Sequence, residues 1–151
     1  MTEKITWILS HPPVSENEIQ KVEEKLKVKL PSDYVTCVKI NNGGTPQDKE
    51  ILDFAEKEGA VFNRLLSYHP EKSTYILETY EDILDRLVPH VFPFASDPFG
   101  NFYCFDYRQN PSGNQPTIVY WDHEMTFIDP FYALIPVCSS FTELLSMLYS
   151  D

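Results

Sequence analysis

The chain has 151 residues, is 42% hydrophobic and 14% aromatic, and sets 12 basic against 23 acidic side chains for a net charge of −11. That length fits one domain, and nine Tyr, ten Phe and two Trp set it apart from aromatic-poor disordered chains. The negative charge repels phosphate backbones and anionic headgroups, which argues against nucleic-acid binding by backbone neutralisation and against docking on acidic lipid.

In chain order, Ser15-Glu16-Asn17-Glu18 has capping-box spacing, and Ile19, Val22, Leu26 and Leu30 follow at helical intervals. The pattern predicts an amphipathic helix of about four turns, broken at Pro31 because proline removes a ladder donor. Pro31-Ser32-Asp33 suits the start of a second helix carrying Tyr34, Val35, Val38 and Ile40, and Asn41-Asn42-Gly43-Gly44 stops it. Residues 45–60 are polar and acidic, a loop with short strand pieces, and 61–68 suits a strand. From Ser73 or Thr74 a third helix is expected, with an apolar stripe of Ile76, Leu77, Tyr80, Ile83, Leu84 and Leu87 before Pro89. Residues 91–95, 102–106, 117–122 and 126–128 are short, aromatic or β-branched runs separated by Asp, Pro, Gly and Asn, which predicts an antiparallel meander. Ser140-Phe141-Thr142-Glu143 repeats the capping-box spacing and opens a last helix. Helices, then strands, then a helix make an α+β domain.

The charge is unevenly placed. Residues 1–30 balance five Lys with five Glu, whereas residues 71–151 hold three basic side chains (Lys72, Arg86, Arg108) against twelve acidic ones. Such a half is either plain solvated surface or a face for a basic partner.

The sequence carries no recognisable catalytic or nucleotide-binding pattern. Five glycines, at 43, 44, 59, 100 and 113, build no Gly-x-Gly-x-x-Gly or Walker loop. Cys37, Cys104 and Cys138 are odd in number and form no Cys-x-x-Cys pair, which suits free thiols in a reducing cytoplasm. Cys104, in a strand between Tyr103 and Phe105, is expected to be buried and inert. No secretory leader or run long enough to span a bilayer is read. Asp122-His123-Glu124 is the most suggestive constellation. On a strand Asp122 and Glu124 share a face and His123 takes the other, a paired-carboxylate arrangement without the three or four ligands zinc wants. Asp97-Pro98-Phe99-Gly100-Asn101 reads as a tight turn rather than a calcium loop. No cofactor, metal or catalytic residue is expected.

Five stretches together resemble one family. Leu30-Pro31-Ser32-Asp33-Tyr34 resembles the "LP-x-D-Y" opening of the SUKH superfamily, and Asn42-Gly43-Gly44 its "NGG" terminator. Phe94-Ala95-Ser96-Asp97-Pro98-Phe99-Gly100-Asn101 resembles its "FA-x-D-x-x-GN" hairpin. Val119-Tyr120-Trp121-Asp122-His123-Glu124 is similar to its "W-D-H-E" strand end, and Ser140-Phe141-Thr142-Glu143-Leu144-Leu145 to its closing "SF-x-E-LL" helix. The matches are collinear over roughly residues 15–150. The resemblance implies a mostly antiparallel sheet flanked by helices. It also implies a role among bacterial immunity proteins that neutralise polymorphic toxins, or among the related fungal cell-wall regulators, with no shared catalytic residues.

Under that resemblance the expected partner is a cognate toxin, with a basic nuclease domain favoured by charge. The expected contact region is the acidic and aromatic meander: Asp97, Tyr103, Asp106, Tyr107, Trp121, Asp122 and Glu124. Tyr103 and Phe105 share one strand face and Cys104 and Asp106 the other, so at most one set is expected to meet a partner and the other is core; the alternative is that all of these aromatics are core. The rival readings are an intracellular regulatory or scaffold binding module and a metal-dependent enzyme using Asp122, His123 or Glu124.

Overall fold

The computed structural model describes residues 5–55 and 57–151. Among these residues it is an α+β fold with four α-helices, two small antiparallel strand pairs and a five-stranded antiparallel sheet.

A short strand β1 (Trp7–Ile8) leads into α1 (Glu16–Leu26). The Ser15 hydroxyl accepts from the Glu18 N–H at 3.2 Å while the Glu18 carboxylate accepts from the Ser15 N–H at 3.0 Å, so the capping box is complete. The helix stops a turn earlier than its apolar spacing suggests. Lys27 turns left-handed at φ 58°, and the Glu23 carboxylate accepts from the Leu30 N–H at 2.8 Å. Leu30 therefore reaches the core from an extended linker rather than from a fourth turn.

α2 (Ser32–Asn41) follows and ends at the expected glycines, with Gly43 at φ +70°. A Cβ there would sit 2.4 Å from His11 Nδ1, so both backbone and space require glycine. Tyr34 of α2 is fully buried, its ring centroid 5.0 Å from Phe105, 5.5 Å from Phe141 and 5.7 Å from Phe94. Its hydroxyl meets that of Tyr68 at 2.7 Å, which satisfies both polar ends inside an aromatic core.

β2 (Thr45–Pro46) pairs with β1, and β3 (Ile51–Phe54) pairs antiparallel with β4 (Lys57–Val61). The strand expected over 61–68 is instead the end of β4 plus the two-residue β5 (Arg64–Leu65). α3 (Ile76–Ile83) starts after Tyr75, a little later than Ser73 or Thr74, and tightens into a 3-10 turn over Leu84–Arg86.

The large sheet has strand order β5, β6 (Val91–Ser96), β7 (Phe102–Asp106), β8 (Thr117–Trp121) and β9 (Leu134–Cys138). Three expected strands stand within a residue of their bounds. The fourth does not: 126–128 lies in and after a 3-10 turn, His123–Phe127, and the true last strand is β9. Pro136 disguises β9, because proline cannot donate to a ladder; β9 is an edge strand and tolerates it. Pro93 survives inside the sheet beside a register shift between Pro93 and Ala95. α4 (Phe141–Met147) closes the chain, its Glu143 N–H bound by the Ser140 hydroxyl at 3.1 Å.

Both sheet faces are covered. One packs with the helices around Tyr34, Phe94, Phe105 and Tyr120; the other holds a smaller cluster of Ile83, Val91, Cys104, Val119, Trp121 and Ala133. Alternation along β7 therefore sends residues to two interiors rather than to one interior and one wet face. No helix among the described residues is long and apolar enough to cross a membrane.

Candidate interaction surface

Asp97 sits in the turn between β6 and β7 and is only 6% exposed. One carboxylate oxygen accepts from the Phe99 and Asn101 N–H groups, both at 2.8 Å. The other accepts from the Asn101 side-chain amide at 3.0 Å and from the Tyr120 hydroxyl at 2.5 Å. A carboxylate with four donors is a satisfied buried charge. Asn101 passes the connection on: its Oδ1 accepts from the backbone N–H of His123 at 3.0 Å and from Nδ1–H of the same residue at 2.6 Å. Gly100, at φ +89°, lies under that imidazole, where a Cβ would come within 3.3 Å of Cε1. The hairpin turn and the Asp122-His123-Glu124 stretch thus form one unit, with Tyr120, Asp97, Asn101 and His123 linked in series.

The residues expected at a partner surface divide sharply. Tyr103 is fully buried, and its hydroxyl donates to the Val61 carbonyl at 2.9 Å. Tyr107 is 1% exposed and donates to the Lys29 carbonyl at 2.7 Å. Trp121 is equally buried, stacked on Phe102 with centroids 6.0 Å apart, and the Arg86 guanidinium lies 5.2 Å from its ring. Asp106 is held by Arg108 through a two-pronged pair at 2.9 and 2.7 Å. With Asp97, these five side chains build the interior; neither alternating set of β7 faces out, because the sheet is covered on both sides. Asp122 and Glu124 remain at the surface, the former half-buried and the latter exposed.

The paired-carboxylate geometry drawn for a strand does not form. β8 ends at Trp121, and the Asp122 side chain caps the 3-10 turn by accepting from the Glu124 N–H at 3.0 Å. Among the described residues no cluster of His, Cys, Asp or Glu is arranged to hold a metal ion. Burial pushes the Cys104 thiol well above its ordinary range and raises Cys37 and Cys138 to about 11. At neutral pH these are thiols rather than nucleophilic thiolates.

The segment that does face solvent is the one whose sequence suggests a fourth strand. Phe127 is 86% exposed, Ile128 68%, Phe131 63% and Tyr132 66%. The Asp122 N–H donates to the Ala133 carbonyl at 2.8 Å, so the ends of the loop meet. Within it, Ile128 and Asp129 N–H groups bond the Met125 carbonyl, Tyr132 bonds the Asp129 carbonyl, and Phe131 bonds the Asp129 side chain at 2.8 Å. Met125 packs inward beside the Trp121 cluster. Asp129-Pro130, a turn signal between two apolar pairs, marks the segment in the sequence as a loop.

Charge follows the same segment. Beyond Arg108 the sequence has no Lys or Arg, while Asp122, Glu124, Asp129, Glu143 and Asp151 follow it. A polar notch of about 280 Å³ adjoins the loop, bordered by Glu58, Phe99, Asp122 and Glu124; Lys57 also reaches it, its ammonium 5.3 Å from the centre of the Tyr120 ring.

A two-sided antiparallel sheet, packed with helices and carrying an outward acidic and aromatic loop, defines an α+β domain whose buried polar groups shape surface loops. The chain belongs to the SMI1/KNR4 family (SUKH-1), whose family model matches residues 13–147. That span takes in all five motif stretches. No curated protein matches the chain. Membership is in keeping with an immunity or regulatory role.

Proposed function

We propose that this protein is an immunity protein that binds a cognate bacterial toxin and neutralises it by covering its active site, without catalysing a reaction itself. The observation that carries this is the acidic run beyond Arg108, unbroken by Lys or Arg, in a chain of the SUKH-1 family. A nuclease needs a basic surface to hold substrate phosphates. An acidic inhibitor competes for that surface, gaining association rate from long-range attraction and specificity from matched charge. Free thiols suit action in the cytoplasm.

The test pairs the purified protein with the toxin domain encoded beside its gene. Stoichiometric inhibition is expected, with an association rate that falls roughly tenfold or more as salt is raised from low to high ionic strength. Failure of the two proteins to bind removes the reading. A regulatory scaffold would bind its partner and leave that partner's activity intact, so the same assay separates the two.

A further inference from the structure

We propose that residues 122–132 are the docking surface, and that their occupant is a basic protein face with an apolar depression ringed by Lys or Arg. This rests on the immunity reading and gives it a location. Four large side chains, Phe127, Ile128, Phe131 and Tyr132, stand at least 63% exposed within six residues. Together they present roughly 400 Å² of side-chain surface, taking about 150–250 Å² for each aromatic. That is the size of the largest apolar patch on a typical monomer, and such patches are often functional.

The loop is built before any partner arrives. Its ends are joined through Asp122 and Ala133, its turns are bonded internally, and its first turn hangs on the His123–Asn101–Asp97 connection. A segment already ordered loses little entropy on binding, so its exposed rings act as anchors.

Charge selects the occupant. Asp122, Glu124 and Asp129 lie among the apolar side chains, and Glu58 borders the adjoining notch. Two cations, Lys57 over Tyr120 and Arg86 over Trp121, offset part of this charge, and the four carboxylates leave the surface net acidic. A second copy would bring the same acidic loop and be repelled, whereas a basic face would be attracted. The deep contact is apolar and the surrounding contact ionic.

The test uses the full-length protein and the toxin domain encoded beside its gene, measured by surface binding kinetics at low and high salt. The double variant Phe127→Ser/Phe131→Ser should weaken binding at least tenfold, mainly through faster dissociation. Glu124→Lys should slow association several-fold at low salt and little at high salt. Both variants alter exposed side chains, so thermal unfolding should match the parent. If the parent binds and both variants bind as tightly, the surface is wrong while the immunity reading stands. If the parent does not bind, the immunity reading itself falls and takes the surface with it. If light scattering shows a parent dimer that the double variant splits, the occupant is a second copy and the proposal is overturned.

Discussion

Asp97 offers the sharpest test of which carboxylates are structural. Replacing it by Ala removes the acceptor for four donors: the Phe99 and Asn101 N–H groups, the Asn101 amide and the Tyr120 hydroxyl. A hydrogen bond to a charged acceptor contributes about 1.5–3 kcal/mol, and an orphaned buried donor costs about 1–3 kcal/mol. The terms overlap, and the neighbouring notch lets water reach some donors. Asp97→Ala should therefore cost about 3–4 kcal/mol in urea unfolding at unchanged m-value. For a chain of this size that is a fall in Tm of roughly 6–16 °C. Asp97→Asn keeps one oxygen for the two backbone donors but turns an amide toward Asn101, and should lose about half as much. Tyr120→Phe removes one bond to the charged acceptor and should cost about 1.5–2 kcal/mol. Hydrogen exchange should also rise at the amides of His123 and the turn after it, since their anchor is gone. A loss below about 1 kcal/mol for Asp97→Ala would refute the hub and return Asp97 to the partner-contact role expected under the resemblance.

Gly43 and Gly59 share a left-handed φ, +70° and +69°, but only Gly43 is crowded, a Cβ there falling 2.4 Å from His11 Nδ1. Gly59→Ala should cost about 1 kcal/mol from backbone strain alone, and Gly43→Ala about 3 kcal/mol, because His11 must leave Ser67 and Arg64; equal unfolding midpoints would contradict the clash. His11 titrates below its ordinary value, held down by burial and then by the Arg64 charge. The unfolded chain therefore takes up that proton first as pH falls from about 6.5, so this contribution is full above that pH and shrinks until the folded-state value is passed. Subtracting the stability profile of His11→Asn from that of the parent should leave this slope; a flat difference would count against it. Cys104 should not react with a disulfide reagent until the protein unfolds, and Cys37 and Cys138, at about 11, should react roughly tenfold more slowly at pH 8 than a thiol at the ordinary value of 9.0, the lower thiolate fraction being partly offset by higher nucleophilicity; prompt titration of any thiol would contradict their burial.

Much of the fold is legible because it is written in backbone chemistry. The Ser15 and Ser140 caps, the glycine stop after Asn42 and the Asp97 turn each impose a local geometry that nothing distant overrides. Sequence and structure part company where distant packing decides. The early end of α1 depends on Glu23 reaching forward to Leu30, an interaction no periodicity encodes. The meander's acids and aromatics look like surface when alternation is set against a sheet with one wet face. A second cluster around Trp121 and Cys104 closes that face, so Trp121 and Asp106 are covered there, while Tyr103 and Tyr107 pack in the helix-side core. The motif stretches are legible singly, but not as partners. Asp33 of α2 accepts from the Thr142 N–H and hydroxyl at 2.9 and 2.8 Å, tying two helix starts 109 residues apart.

Two populations of carboxylate follow from this, and they answer to different measurements. Asp33, Asp97 and Asp106 each accept several short hydrogen bonds and fix where a chain segment goes. Glu124 is exposed, and Asp122 and Asp129 use one oxygen to hold their own turn while their charge stays at the surface. Removing a charge of the first kind should lower stability, and at Asp97 it should also loosen residues 122–132, so binding weakens through the loop although the residue touches no partner. Removing Glu124 should leave stability alone and change only the association rate and its salt dependence. The net charge of −11 is therefore a sum over two roles. Only the surface share can attract a toxin, and a stability measurement beside a kinetic one assigns each acid to its side.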